Sequence, residues 1–305
     1  MHDLIIIGAG PAGVAAGVYA ARKRINTALV TESFGGQSLV SDEIQNWIGD
    51  KTLSGYDLAK KLEDHLRAYA EIDLIEPDLV INVEKIDGNF RVLTKGGKTL
   101  ETRTVLICSG GRHKRLGIPG EDRFDGKGVA YCATCDAPLF KNKTVAVVGG
   151  GNAGLEAAVD LFPYAEKIYL IHRRDDFKGD PITQKQVGEN SKVEFLLSAE
   201  PREIFGEKFV TGLKYENLKT KEIKELAVQG VFVEIGSTPN SEFVKGLVQM
   251  DEWGNIIADP ATQSTSQAGI WAAGDVTNAP YRQNNISAGD AVKALLNIDE
   301  YLKRQ

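Results

Sequence analysis

Two glycine-rich loops constrain what this chain can fold into more than any other feature: Gly8-Ala9-Gly10-Pro11-Ala12-Gly13 near its start and Gly149-Gly150-Gly151-Asn152-Ala153-Gly154 near its middle. Each follows a short apolar run and opens an alanine-rich one, the order of strand, tight turn and helix. The pattern predicts strands over 3–7 and 27–31 around a helix over 14–24. It repeats as strands over 144–148 and 167–171 around a helix over 152–162, stopped by Pro163. Two such units in 305 residues imply an α/β protein with two Rossmann-like dinucleotide-binding domains. Small residues at these turns let the backbone approach a pyrophosphate, whose charge then sits at a helix N-terminus. Gly8, Gly10, Pro11, Ala12 and Gly13 are therefore candidate cofactor residues of the first site, and Gly149, Gly151, Asn152, Ala153 and Gly154 of the second.

After each unit the pattern changes to short strands with turn signals, at Asp87-Gly88 and Gly96-Gly97 in the first half and at Phe205-Gly206 in the second. A returning apolar strand then closes each half, 104–109 before Gly110-Gly111 and 231–235 before Gly236. The two crossings, 112–120 and 236–240, carry Pro119 and Pro239 and read as hinges. Acidic residues outnumber basic ones, 42 to 36, which disfavours nucleic acid and anionic membrane as partners. The first apolar run, Leu4 to Ile7, is far too short for a signal peptide or a span, so a cytoplasmic protein is expected.

The residues at the end of each second strand select the nucleotide, because a carboxylate there grips an adenosine ribose and repels a 2′-phosphate. The second unit ends in His172-Arg173-Arg174-Asp175, with no acid before the arginines. Adjacent guanidiniums chelate a 2′-phosphate, which favours NADPH over NADH. The first unit ends at Thr31-Glu32 without a basic cluster and suits a dinucleotide lacking that phosphate, such as FAD.

Between the two units lies Cys132-Ala133-Thr134-Cys135-Asp136. Two cysteines three apart can close a reducible ring. Half a zinc site is the alternative, but the chain offers no second pair of ligands, and no metal is expected. Asp136 suits the proton transfer that thiol–disulfide exchange requires, and equally suits a helix cap. Cys108, in an apolar strand, reads as a buried hydrophobe.

With both loops, the C-A-T-C-D run and the H-R-R-D run in this order, the chain resembles the low-molecular-weight thioredoxin reductases over nearly its whole length. Gly35-Gly36-Gln37, Asn46-Trp47, Ala273-Gly274-Asp275 and Tyr281-Arg282-Gln283 extend the likeness. The resemblance implies a discontinuous FAD domain over 1–113 and 243–305, an inserted NADPH domain over 114–242, and a homodimer. It places FAD on the first loop with Thr31, Glu32, Gly35, Gly36, Gln37, Asn46, Gly110, Gly274, Asp275, Arg282, Gln283 and Asn284. It places NADPH on the second loop with His172, Arg173, Arg174 and Lys178. It also implies that Cys135 faces the flavin, Cys132 attacks the disulfide of a thioredoxin-like or glutaredoxin-like partner, and Asp136 donates the proton. Two departures stand out. Lys178 replaces a more usual arginine, and Ala137-Pro138-Leu139-Phe140 replaces a partner-docking segment. The latter is more similar to the flavoprotein component of alkyl hydroperoxide reductase. A flavoprotein feeding peroxide machinery, oxygen or ferredoxin, and a redox sensor without turnover, are the rival readings.

Overall fold

Leu4, Ile5, Ile6 and Ile7 are all buried because their strand, β1 (His2–Ala9), lies inside a sheet with apolar layers on both faces. Alternation sends Leu4 and Ile6 to one layer and Ile5 and Ile7 to the other. The computed structural model describes residues 1–41 and 43–305. After β1 come α1 (Pro11–Lys23), β2 (Thr27–Phe34), α2 (Gly55–Arg67), β3 (Ile72–Ile75), β4 (Val80–Ile86), β5 (Asn89–Thr94) and β6 (Thr99–Ile107). Helix α1 starts at Pro11, earlier than the hydrophobic pattern placed it, since proline's fixed φ and missing N–H suit a first helical turn. Arg24 closes it in the left-handed region at φ 57°.

The first crossing is β7 (Gly111–His113). Beyond it lie β8 (Val129–Ala130), α3 (Ala133–Asp136), β9 (Thr144–Val148), α4 (Asn152–Leu161), β10 (Lys167–His172), α5 (Pro181–Gly188) and β11 (Val193–Leu197). Then follow β12 (Ala199–Gly206), β13 (Val210–Asn217), β14 (Ile223–Ala227) and β15 (Gly230–Val233). The return crossing β16 (Ser237–Pro239) pairs with β7, and β17 (Ile270–Ala272) and α6 (Asn284–Lys303) complete the chain. Several boundaries differ from the sequence reading, three of them in the returning strands and the turn of the second half. Strand β6 stops at Ile107, two residues before Ser109, and β15 stops at Val233 rather than Ile235. Phe205 and Gly206 belong to a strand, with the turn falling after them: the alternating apolar pattern of β12 runs through Gly206 to meet Val210 on β13.

The chain divides into two compact units, Met1–Arg112 with Thr238–Gln305, and His113–Ser237. In the first unit the sheet runs β3-β2-β1-β6-β5-β4, with β17 also on β6. Its β3, β2, β1, β6 and β17 are parallel, as βαβ crossovers require. Helices α1 and α6 cover one face, where Ala12, Ala16, Trp271, Ala291, Leu295 and Ile298 share a core. In the second unit the parallel order β11-β10-β9-β15-β8 repeats the plan beside an antiparallel sheet β12-β13-β14. Both units place a glycine loop at the C-terminal end of a central parallel strand, the position where open α/β sheets bind ligands.

Candidate functional site

The two loops share one steric logic. A Cβ on Gly13 would sit 1.8 Å from the Gly8 carbonyl oxygen, and one on Gly154 would sit 2.3 Å from the Gly149 carbonyl oxygen. The third glycine of each loop therefore allows the helix to pack onto its own turn. The middle glycines are different. A Cβ on Gly10 would meet nothing nearer than the Gly36 Cα at 3.9 Å, and one on Gly151 nothing within 4 Å. Here the glycine keeps space open on the side a phosphate would approach. Neither Gly10 nor Gly151 supplies a side-chain cap, so the first N–H groups of α1 and α4 lack that partner.

A cavity of about 760 Å³ opens over the first loop in the first unit. Gly8, Gly10, Pro11, Ala12, Thr31, Glu32, Gly36, Gln37, Gly110, Asp275 and Asn284 line it. Gly13, Gly35, Asn46, Gly274, Arg282 and Gln283 do not, although several support it. The Asn46 side chain donates to Gln283 Oε1 at 3.1 Å, and Ser38 donates to Asn284 Oδ1 at 3.0 Å. Arg282 donates to Asn255 at 3.1 Å. Gly274 turns at φ 77° to present Asp275, whose carboxyl is pushed up by burial while the Ser287 hydroxyl, 3.2 Å away, pulls it down. The Gln37 Oε1 is buried without a hydrogen-bond partner, an acceptor that a bound group with a donor would satisfy. Sequence reasoning did not find the wall over 78–81, nor Asn240, Glu242 and Phe243. Nothing in a short strand start or a returning loop marks them, because only the closed sheet brings them to the cavity. A cavity of this size with a glycine cradle, helix N–H groups without a side-chain cap and an unsatisfied buried acceptor fits a dinucleotide such as FAD.

At the second loop, His172 closes over Gly150, whose Cβ would lie 2.3 Å from the imidazole. The ring stacks on Phe177 with centroids 5.8 Å apart, and the Lys178 amide donates to the Gly150 carbonyl at 2.9 Å. Burial, then Arg174 and Arg173, hold the His172 pKa below its ordinary value, favouring the neutral ring. Arg173, Arg174 and Lys178 are exposed, and neither arginine makes an ion pair among the described residues. Asp175 is drawn away from them by Lys219 at 2.9 Å and by the Ser198 hydroxyl, which together hold its carboxyl low. The arginines thus keep their charge for an external anion.

Cys132 and Cys135 form a disulfide, with Cα atoms 5.3 Å apart. Both are half-buried at the head of the single turn α3, whose amides at Cys135 and Asp136 donate to the Cys132 carbonyl. The two residues between them are tethered. The Ala133 amide donates to Glu234 Oε1 at 3.2 Å, and the Thr134 hydroxyl donates to Asp160 Oδ2 at 2.7 Å. Glu234 went unnoticed in the sequence, where it falls inside the apolar run 231–235. Asp136 makes no side-chain cap to the turn Ala137–Phe140 that follows. Phe140 packs edge-on against Phe232 at 4.8 Å and belongs to the core, which leaves Leu139 as the accessible apolar residue of that segment. Cys108 is the one free cysteine described and is buried, its thiol pushed up by burial alone. No helix among the described residues is long and apolar enough to cross a membrane.

Residues 2–292 match the family described as pyridine nucleotide-disulphide oxidoreductase. The chain is 40% identical over 302 residues to an NADH dehydrogenase of Bacillus subtilis (strain 168), covering 99% of this chain and 59% of that protein. It is also 40% identical over 306 residues to the F subunit of alkyl hydroperoxide reductase from Pseudomonas putida, covering 99% and 58%. The chain therefore spans just under three fifths of the length of these curated relatives. Among solved structures, thioredoxin reductase from Streptococcus pyogenes MGAS5005 superposes with a TM-score of 0.94 at 35% identity, covering 100% of this chain and 99% of that one. The doubled glycine loops, the disulfide between them and these matches agree: the chain belongs to the pyridine nucleotide-disulphide oxidoreductase family.

Proposed function

We propose that the protein is an FAD-dependent NADPH:disulfide oxidoreductase that reduces a thioredoxin-like or glutaredoxin-like protein. The observation that carries this reading is the Cys132–Cys135 disulfide, half-buried and tethered through both intervening residues in the unit that holds the second glycine loop. FAD, when bound, supplies a two-electron relay between nicotinamide and disulfide. The rest falls to the chain's own side chains and amides. In the first unit the α1 amides receive the pyrophosphate, Thr31 and Glu32 meet the adenosine ribose, and Asp275 and Asn284 orient the other end. In the second unit Arg173 and Arg174 hold the 2′-phosphate of NADPH, with Lys178 beside them and His172 fixing the loop. Cys132 attacks the partner disulfide, Cys135 closes the ring again, and Asp136 moves the proton that each exchange requires. A cytoplasmic homodimer is part of the same reading.

The test is a coupled assay on purified protein with NADPH or NADH and a panel of thioredoxins and glutaredoxins. The expected result is a yellow protein with about one FAD per chain, faster with NADPH than with NADH, that reduces at least one panel member. A colourless protein that cannot be reconstituted with FAD overturns the cofactor assignment, and equal use of NADH overturns the role of the arginines. A second reading, electron delivery to a peroxide-reducing system, is favoured by the segment Ala137-Pro138-Leu139-Phe140, in which Phe140 is buried and Leu139 is partly buried against the same core. It predicts activity with a peroxiredoxin and its thioredoxin-like module, and none with free thioredoxin.

A further inference from the structure

Glu234 bridges the two functional elements of the second unit. Its amide donates to the Val148 carbonyl at 2.8 Å, and its own carbonyl lies where a Cβ on Gly149 would come within 2.2 Å, so its backbone is wedged against the second glycine loop. Its carboxyl reaches the other way and accepts the Ala133 amide, the first amide between the two cysteines. We propose that Glu234 is a positioning residue that couples proton uptake to reduction of the Cys132–Cys135 pair. The proposal rests on the function proposed above.

The bond to Ala133 places the carboxyl within about 9 Å of the Cys132 sulfur by covalent reach. A unit charge at that distance, partly shielded from water, moves a neighbour's pKa by about one unit. The charged groups facing Glu234 are Asp136 from α3 and Asp160 and Glu156 from α4. All are acidic, and Asp160 is itself held by Thr134. Burial first, and then these carboxylates, push the Glu234 pKa up to about 8, against the pull of the Ala133 N–H. Glu234 thus changes charge in the range where thiols ionise.

Reduction begins when the Sγ–Sγ bond takes up an electron pair, from a dithiol or, in the enzyme, from the NADPH-driven relay, and breaks. One sulfur takes a proton and becomes a thiol, while the other is left as a thiolate. That new negative charge raises the Glu234 pKa further, and an ionised Glu234 takes one proton from solvent. Two electrons and two protons are consumed. When the thiolate attacks a partner disulfide, the electron pair leaves with the partner. Glu234 then releases its proton to solvent, where the leaving sulfur takes one up.

The experiment equilibrates flavin-loaded protein with mixtures of reduced and oxidised dithiothreitol from about pH 7 to about pH 10, and counts free thiols by alkylation. The ionisation of dithiothreitol is common to all variants and cancels between them. The reduction equilibrium constant of the wild type is expected to fall more steeply with pH than that of Glu234→Gln, by up to about threefold more per pH unit just above pH 8 and by about tenfold over the whole range. Glu234→Gln keeps the acceptor for Ala133, so a purely structural role would leave its pH profile equal to that of the wild type, and that result overturns the proposal. Glu234→Ala should lose the same pH dependence and also alter the constant at every pH. Should the variants fail to fold, redox-difference infrared spectra of the wild type decide the matter. Reduction just above pH 8 should produce the carbonyl stretch of a protonated carboxyl, and its absence also overturns the proposal. A pair that titrates reversibly with dithiothreitol yet is not reduced by NADPH would instead count against the proposed function.

Discussion

Cys132 and Cys135 were legible in the sequence because two thiols three apart need no tertiary structure to become partners, and the disulfide bears this out. If the pair lies downstream of the flavin, Cys132→Ser and Cys135→Ser should each abolish reduction of a protein disulfide. NADPH-driven reduction of a small artificial acceptor should stay within about twofold of wild type. Stopped-flow traces of the two half-reactions check this. Asp136→Asn should slow only the disulfide step. Replacing Arg173 and Arg174 together by neutral residues should raise the KM for NADPH roughly tenfold or more, because charge-assisted hydrogen bonds to the 2′-phosphate are lost, and should leave the KM for NADH unchanged. Initial-rate kinetics with both coenzymes separate these outcomes. Glu234 was not legible. Its neighbours in sequence are Val233 and Ile235, and only the parallel pairing of β15 with β9 carries it to the second glycine loop and the redox turn.

The elements that position the sites were read from hydrophobic runs, and they held where local chemistry decides. Strand β9 has the bounds expected, and α4 differs by one residue. The antiparallel sheet β12-β13-β14 was visible only as turn signals. Charged residues such as Arg202, Glu216 and Lys224 interrupt the apolar pattern of its strands, and the turn was misplaced onto Phe205-Gly206. The cavity wall over 78–81 is set by long-range pairing that no window of sequence contains. At this scale the glycine loops make a paired prediction. Gly13→Ala drives a methyl into the Gly8 carbonyl and should destabilise the first unit by about 1–3 kcal/mol or more, as overpacking does. Gly10→Ala has free space and an ordinary φ of −73°, so the fold should stand while flavin affinity falls. Urea unfolding read beside flavin absorbance distinguishes the two, and loss of stability in both variants would refute the open-side role of the middle glycine.

Over the whole molecule, the raised carboxyl pKa of Glu234 makes one definite contribution to the response to pH. An ordinary Glu ionises at 4.5, but Glu234 in the folded protein holds its proton up to about 8. As pH rises between these values the unfolded chain loses a proton that the folded one keeps, so folding becomes less favourable across that window and levels off above it. Glu234→Gln removes this cost. Its stability relative to wild type should grow from about pH 4.5 to about pH 8 and then stay constant, as urea unfolding across that range would report. The division into a split unit and a continuous one has a further consequence, for synthesis on the ribosome. Leu4, Ile6, Leu29 and Leu106 share their core with Trp271, Leu295 and Ile298. The early strands therefore emerge long before the helix that covers them, while His113–Ser237 is completed in between with all the residues of its own cores. At common elongation rates this leaves apolar surface waiting on the order of ten seconds, an interval in which the finished fold does not yet keep β1, β2 and β6 from pairing with a neighbouring chain.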